Sequence, residues 1–146
     1  MPGMELGIDL GTSQVVITAA GRGILLREPA VLAVDEASGR LIACGREAYA
    51  MQGRAPASIQ VIRPMAKGVI SDYDIAERML KYMVGKICAY KVLKPRAAVS
   101  VPAAVTEVEQ RSVVEAVTAA NVRRVILMEE AVAAAIGAGL DVAAAR

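Results

Sequence analysis

The sequence contains no histidine, no tryptophan and no phenylalanine, and aromatic residues make up only 3% of its 146 positions. Without histidine, most zinc sites and every catalytic triad that relies on a histidine base are excluded. Hydrophobic residues still account for 55% of the chain, so it can bury a sizeable core, which must be aliphatic. The two cysteines, Cys44 and Cys88, lie far apart, and we interpret them as buried thiols in a reducing cytosol.

Long apolar runs and strong net charge are also missing. The longest apolar run, Ala131 to Ala138, is far shorter than the roughly 20 residues that a membrane-spanning helix needs. Met1 to Met4 lacks a cationic segment followed by an apolar one, so we predict no signal peptide. The net charge of +2 is too small to favour nucleic-acid binding, and no basic run alternates with aromatic residues. We therefore expect a cytoplasmic domain of ordinary size that does not bind nucleic acid.

The first half of the sequence has the pattern of short antiparallel strands. Apolar segments alternate with glycine-containing turns, as in a meander of hairpins. The predicted strands cover residues 6–10, 14–19, 24–27, 31–34 and 41–44. A short helix is predicted from Arg46 to Met51, and Gly53 to Pro64 is predicted to be irregular because it contains two prolines.

The second half alternates helices with strands. Apolar residues recur at helical spacing from Asp74 to Tyr90, and Asp74 and Glu77 have the spacing of a capping box. Thr106 and Glu109 have the same spacing at the start of a helix that runs to about Ala120, and Asn121 after it can adopt the left-handed C-cap conformation. Strands are predicted over 97–101 and 123–128, and a last helix over 129–138. This alternation predicts an α/β fold.

The turn after the first strand carries the sharpest chemical signal. Gly7 to Thr12 reads Gly-Ile-Asp-Leu-Gly-Thr, so a strand delivers Asp9 to a tight turn. Backbone N–H groups of such a turn can form a concave nest for phosphate oxygens, and the Thr12 hydroxyl can add a donor. Asp9 would repel phosphate, so its sensible partner is Mg²⁺, held through water. Two alternatives are an ordinary hairpin and the aspartic-protease signature, although the helices argue against the latter.

A pair of carboxylates, Glu129-Glu130, lies where the last predicted strand meets the last helix. The helix dipole favours negative charge at that position, by roughly 0.3–1 kcal/mol for each group, which is a sufficient structural reason for one of them. A carboxylate that faces a nucleotide could instead orient the attacking water in phosphoryl transfer. The residues alone leave both interpretations open.

Five segments, in order and in register, resemble the MreB family of bacterial actins, which determine rod shape. They are 7–12, 23–31 with Arg27-Glu28-Pro29, 62–72 with Ile62-Arg63-Pro64-Met65 and Gly68-Val69-Ile70, 101–111 with Val101-Pro102 and Thr106 to Arg111, and 129–137 with Glu129-Glu130. The resemblance extends from about Glu5 to Val142 and covers about the first two fifths of the family's length.

The resemblance implies an actin-like ATPase fold of the ribonuclease H-like class. Residues 1–30 and 72–146 would form subdomain IA, and residues 31–71 would form a small α+β subdomain IB. It places Asp9, Gly11, Thr12 and Ser13 in the first phosphate loop, with Asp9 facing Mg²⁺ through water. It places Glu130 as the residue that positions the hydrolytic water.

The resemblance also implies a function: binding of ATP and Mg²⁺, head-to-tail self-assembly into filaments, and control of rod cell shape and wall synthesis with the cell-wall elongation machinery. Such proteins lie at the inner face of the cytoplasmic membrane. The apolar loop Val92-Leu93, between Lys91 and Lys94, is the expected membrane contact. A half-buried loop is the alternative. An N-terminal amphipathic helix is not expected, because Pro2-Gly3 would break it.

Three departures from the family pattern qualify these expectations. Ser13-Gln14-Val15 stands where the family has Ala-Asn-Thr, and Ala131 stands where the family has proline. The family's second phosphate loop would follow Arg146, so the second lobe is expected to be missing and these 146 residues alone should bind ATP poorly and not hydrolyse it. A sugar-kinase or chaperone-like relative and a truncated, filament-modulating paralogue are the two rival interpretations.

Overall fold

The computed structural model describes residues 3–88, 93–141 and 143. Ten strands lie in this part of the chain: β1 (Glu5–Leu10), β2 (Gln14–Ala19), β3 (Gly23–Pro29), β4 (Leu32–Asp35), β5 (Leu41–Cys44), β6 (Ile59–Ile62), β7 (Met65–Ala66), β8 (Val69–Ile70), β9 (Arg96–Val101) and β10 (Arg124–Glu129). The same residues form four helices: α1 (Arg46–Ala50), α2 (Tyr73–Cys88), α3 (Glu107–Ala119) and α4 (Glu130–Gly137).

The main sheet has five strands in the order β10-β9-β1-β2-β3. β1, β2 and β3 form an antiparallel meander, whereas β9 and β10 lie parallel to β1, in the register Asp9↔Ser100 and Ser100↔Met128. A parallel neighbour requires a crossover, and α3 supplies the one between β9 and β10. The mixed α/β architecture is therefore as predicted.

The two faces of this sheet differ sharply in burial. Alternate residues of β1, Leu6, Ile8 and Leu10, are almost completely buried on the face that α2 and α3 cover. The intervening residues, Gly7 and Asp9, lie on the opposite face, which α4 covers only partly because every α4 side chain is at least partly exposed. The helix-covered face is the main core, and the other face is open to a cleft.

The core is held mainly by methionine, leucine and β-branched side chains, as expected for a chain without phenylalanine. Met79, Leu80 and Met83 of α2 are at most 1% exposed, and they pack with Ile17 and Val99 of the sheet. Burial of each such side chain stabilises the fold by roughly 1.5–3 kcal/mol. The methionine-rich stripe of α2 therefore serves core packing.

A second, three-stranded sheet has the order β5-β4-β6 and carries α1. Its own small core contains Val31, Ala33, Ala43 and Ala48. The β4–β5 hairpin turns at Gly39, which has a φ of 71°. This sheet lies within the segment 31–71 that was predicted as subdomain IB, and the division into two subdomains stays a prediction.

Three local predictions were wrong. Gly53 to Pro64 is not wholly irregular, because its apolar residues Ile59–Ile62 pair with β4 as β6. Residues 65–70 form an unpredicted hairpin, β7–β8. The cap of α2 is Asp72, whose Oδ1 accepts a hydrogen bond from the Ile75 N–H at 3.2 Å, so the cap lies two residues before the predicted capping residue Asp74 and the helix begins at Tyr73.

The second predicted capping box is confirmed. The Thr106 hydroxyl accepts from the Glu109 N–H at 3.1 Å, and the Glu109 carboxylate accepts from the Thr106 N–H at 3.2 Å. Asn121 adopts the left-handed conformation with a φ of 73°. Among the described helices, none has the length and apolar character needed to cross a bilayer.

Candidate functional site

The carboxyl ends of the three parallel strands meet at one edge of the main sheet. β1 ends near Asp9, β9 ends near Ser100, and β10 leads directly into α4 at Glu130. In open α/β sheets this edge is where ligands bind, because the strands deliver loops and helix N-termini to a common crevice. The topology thus brings together residues that are more than 90 positions apart in sequence.

The turn between β1 and β2 is tight and leaves two amides available. The Gly11 N–H donates to the Gln14 carbonyl at 3.0 Å, and a Cβ on Gly11 would lie 2.8 Å from that oxygen, so only glycine fits. Within the part of the chain that the structure describes, the N–H groups of Thr12 and Ser13 have no protein acceptor. Gly11 therefore shapes the turn, whereas Thr12 and Ser13 can donate to an anion.

A long-range hydrogen bond fixes the position of this turn. The Gly68 N–H, in the β7–β8 turn, donates to the Thr12 hydroxyl oxygen at 2.8 Å. The β7–β8 turn itself bends at Lys67 (φ 52°) and Gly68 (φ 78°). A Cβ on Gly68 would lie only 2.7 Å from Cγ of Pro102, at the end of β9. The tip of the turn is thus held in place by two segments distant in sequence.

Asp9 lies in the cleft with a defined neighbour. Its Oδ1 accepts a hydrogen bond from the Ser100 hydroxyl at 3.0 Å, across the parallel β1–β9 pair. Among the described residues, its second carboxylate oxygen has no hydrogen-bond partner. The Ser100 contact holds the carboxylate in one orientation while the second oxygen can accept from a water molecule.

The donor set around Asp9 fits Mg²⁺ and not a fully protein-ligated metal. Within residues 3–88, 93–141 and 143, no three acidic or cysteine side chains cluster closely enough to hold a metal ion. Mg²⁺ typically keeps several waters and takes only one or two carboxylates together with substrate phosphates. A single oriented carboxylate beside the available Thr12 and Ser13 amides meets that requirement, and the role of Asp9 stays a prediction.

Glu130 is the first residue of α4, which follows β10 without a loop. Glu129 occupies the N-cap with an extended backbone (φ −61°, ψ 139°) and makes no side-chain capping bond. Both carboxylates are exposed, but only Glu130 lines the cleft. The helix dipole favours its negative charge at this position, whether or not it also acts on a ligand.

One cavity of about 780 Å³ joins these features. Its polar wall is the β1–β2 turn with Asp9, Gly11, Thr12 and Ser13, and the opposite wall is the start of α4 with Glu130. The floor is the open face of the sheet, including Ser100 and Met128. The turn is not packed shut, and it lies across the cleft from the Glu130 helix. The structure therefore brings all five predicted site residues to one cavity, although their roles stay predictions.

Two residues of this arrangement had no role predicted from the sequence. Ser100 orients Asp9, and Gly68 anchors Thr12. Ser100 had a detectable signal, because it is the one hydroxyl residue of β9 and follows three apolar residues near the end of that strand. Gly68 had no such signal, apart from lying in one of the segments that resemble the family. Its hydrogen bond joins residues that are 56 positions apart in sequence.

The predicted membrane loop is only partly described. Val92 and Lys91 lie outside the described residues. Leu93 is 49% exposed and Lys94 is also exposed, so these two side chains present an apolar and a cationic group to solvent. This exposure is compatible with membrane contact, which stays a prediction.

Comparisons with known proteins give a consistent result. The family model for the MreB/Mbl protein matches residues 3–146. The cell shape-determining protein Mbl of Bacillus cereus is 43% identical over 139 residues, and the cell shape-determining protein MreB of Pasteurella multocida is 46% identical over 147 residues. These matches cover 94% and 97% of this chain but only 42% of each relative, so the chain spans about two fifths of their length.

Solved structures show the same relationship. The crystal structure of MreB5 of Spiroplasma citri bound to ADP matches with a TM-score of 0.85 at 31% identity, covering 95% of this chain and 42% of that one. The MamK double helical filament matches with a TM-score of 0.79 at 20% identity, covering 93% of this chain and 43% of that one, and it supports the fold alone.

The predicted actin-like fold class is confirmed by these structural matches. The predicted family is confirmed as well, because the family model extends over residues 3–146 and the relatives are more than 40% identical. The chain belongs to the MreB/Mbl family of actin-like, cell shape-determining proteins.

Proposed function

We propose that this chain is the first phosphate-binding lobe of an actin-like, ATP-binding cytoskeletal protein that polymerises into filaments. The single observation that carries the proposal is the cavity shared by the β1–β2 turn and the start of α4. Two further findings support it: the relative from Spiroplasma citri was crystallised bound to ADP, and in a second structure bound to AMPPNP. Nucleotide at this edge also follows the general rule for open α/β sheets.

Different residues of the chain would contact the phosphates, the cation and the attacking water. The Thr12 and Ser13 amides donate to the phosphate oxygens, and the Gly68 contact with Thr12 holds the turn ready for them. Asp9, oriented by Ser100, would hold the cation through water. Bound Mg²⁺ supplies charge neutralisation for the phosphates. Glu130, from the opposite wall, would accept a hydrogen bond from the attacking water and so position it.

The cellular role follows from family membership. Head-to-tail contacts between identical subunits form an open filament when they do not close into a ring. We propose that such filaments lie at the inner face of the cytoplasmic membrane, in contact through the Val92-Leu93 loop, and control rod shape and wall synthesis with the cell-wall elongation machinery. Any hydrolysis would be slow and would act as a switch.

Family membership also ranks the rival interpretations. The match to the MreB/Mbl model favours a filament protein over a sugar kinase or a chaperone. Sedimentation with filaments of a full-length family member distinguishes a filament-modulating paralogue from an isolated first lobe. The paralogue would pellet with the filament or shorten it, whereas an isolated first lobe should stay in the supernatant and leave filament length unchanged.

A magnetic resonance titration of the 146-residue chain with Mg-ATP tests the site. Since the described residues place phosphate donors on one wall of the cavity, we expect a Kd of about 1 mM or weaker, which is a binding free energy near −4 kcal/mol. Amide shifts should be largest at Thr12 and Ser13. Micromolar binding would refute the partial-site interpretation, and saturating shifts located away from the turn would refute the site itself.

Asp9→Asn isolates the role of the carboxylate. We expect the variant to bind Mg-ATP more weakly than the parent chain does. With EDTA present, the variant and the parent chain should bind ATP equally, because the carboxylate acts only through the cation. Asp35→Asn is the matched control, since Asp35 also accepts a serine hydroxyl hydrogen bond, from Ser38, in a hairpin outside the cavity. Equal effects of the two substitutions would contradict the assignment.

A further inference from the structure

A second concave surface lies on the other side of the β1–β2 turn. This groove has a volume of about 540 Å³ and lies where the two sheets meet. Its lining comes from four segments: the turn residues Thr12, Ser13 and Gln14, the end of β3 at Arg27, Glu28 and Pro29, the α1 residues Arg46 and Tyr49, and Arg63 after β6. We call it the arginine groove.

The arginine groove carries unbalanced positive charge. Three arginines, Arg27, Arg46 and Arg63, line it against one acidic residue, Glu28. Oε2 of Glu28 already accepts a hydrogen bond from the Arg46 backbone N–H at 2.8 Å. Within the described part of the chain, none of the three guanidinium groups lies within 4.0 Å of a carboxylate. An anion in the groove would therefore meet cations that are not paired with acidic side chains.

One of these cations is held in place by its neighbours. The Arg63 guanidinium lies 5.7 Å from the centre of the Tyr49 ring, a cation–π distance. Its Nη2 also donates to the Gln52 side-chain oxygen at 3.4 Å. These contacts use a ring face and one donor, and they leave the other N–H groups of the fork available. Arg63 therefore has two contacts within this chain that favour its position at the groove.

The geometry of the donors favours a phosphate-class oxyanion. The arginines that line the groove belong to α1, to β3 and to the segment after β6, and the hydroxyl residues Thr12 and Ser13 line it from the turn. A planar carboxylate is satisfied by one guanidinium fork, whereas a tetrahedral oxyanion accepts hydrogen bonds from several directions at once. The convergence of donors from four segments matches the second case.

From this arrangement we infer that the arginine groove binds a phosphate-class anion beside the nucleotide cavity. The β1–β2 turn forms a wall of both spaces, because Thr12, Ser13 and Gln14 line both. The anion is either free inorganic phosphate or a phosphate of the nucleotide. Only the second of these sources rests on the proposed function.

Inorganic phosphate at low ionic strength is the direct probe, with the Tyr49 ring resonances as the readout. We expect a saturable shift of Tyr49 that weakens as salt is added. The Tyr82 ring is the internal control, because it also lies near a cation, Lys86 at 5.8 Å, but outside the groove. A shift of equal size at Tyr82, or no shift at Tyr49, would overturn the inference.

Substitution of the arginines tests the donors. Arg46→Gln and Arg63→Gln should each weaken phosphate binding about tenfold, as expected for loss of a charged hydrogen-bond donor. Arg63→Lys should restore only part of the affinity, because lysine lacks the fork. Arg54→Gln is the matched control, since Arg54 is exposed and lies outside the groove. Binding that is insensitive to both groove substitutions would overturn the inference.

Two further experiments distinguish anion binding in the arginine groove from binding in the proposed nucleotide site. Asp9→Asn should leave phosphate binding in the groove unchanged, because Asp9 lines only the other cavity. A titration with adenosine, which has no phosphate, and one with ADP identify the source. If ADP shifts Tyr49 and adenosine does not, the nucleotide reaches the groove. If only free phosphate shifts Tyr49, the groove binds inorganic phosphate.

Discussion

Replacement of Gly68 by alanine should destabilise the chain well beyond the usual cost of a positive φ. Gly68 has a φ of 78°, and alanine in this left-handed region costs about 1–2 kcal/mol. The added Cβ would also lie 2.7 Å from Cγ of Pro102. Overpacking of this kind costs about 1–3 kcal/mol, because the proline ring cannot swing aside as a flexible side chain would. We expect a total loss of about 3 kcal/mol.

The same substitution should disturb the candidate site. Relief of the Pro102 contact moves the β7–β8 turn, and the Gly68 N–H then loses the Thr12 hydroxyl at 2.8 Å. Thr12→Val removes the same hydrogen bond from the other side. The two substitutions should therefore be less than additive, with a coupling energy of about 0.5–1.5 kcal/mol.

Gly21→Ala provides the matched control. Gly21 has a φ of 73°, and a Cβ there meets no atom within 4 Å, so alanine costs only the backbone strain. Urea unfolding followed by circular dichroism measures both variants. The free energy of unfolding should fall by about 2 kcal/mol more for Gly68→Ala than for Gly21→Ala, with the overpacking cost as the difference. Equal losses in the two variants would refute the reasoning.

The remaining predictions concern helix capping and thiol chemistry. Thr106→Ala removes the capping box with Glu109 and should lower the free energy of unfolding by about 1 kcal/mol, whereas Thr118→Ala on the same helix should change it little; urea unfolding of both variants checks this. Burial, aided by the negative charge of Glu28, raises the pKa of the Cys44 thiol from 9.0 to about 12. The contribution of this thiol to stability is therefore complete below pH 9 and is lost as the pH rises toward 12. Iodoacetamide at pH 8.5, followed by mass spectrometry, should modify Cys44 only in urea, and rapid native modification would contradict its burial.

Local sequence signals predicted most of the secondary structure. The bounds of β2 and β5 agree with the structure residue for residue, and the Thr106 capping box is present. These features depend on side-chain alternation and on contacts within four residues, which a sequence displays directly. The β1–β2 turn belongs to the same class, because the Gly11 N–H bonds only three residues away.

Elements that depend on distant partners were missed. β6 (Ile-Gln-Val-Ile) is rich in β-branched residues, but the nearby prolines favoured an irregular segment, and its pairing with β4, 24 to 30 positions earlier, shows only in the structure. The cap of α2 was placed two residues late, since both Asp72 and Asp74 are good capping residues and only the entry path of the chain selects between them.

The sequence by itself determined the composition of the candidate site: an acidic residue, a glycine turn with hydroxyl side chains, and a glutamate at a strand-to-helix junction. Only the tertiary structure decided that Ser100 orients Asp9, that Gly68 anchors Thr12, and that three arginines from separate segments line one groove. The physical reason is the sequence separation of the interacting residues. Backbone geometry and capping are fixed by neighbours in sequence, whereas the orientation of side chains in a cleft is fixed by strand register and by packing across the whole sheet.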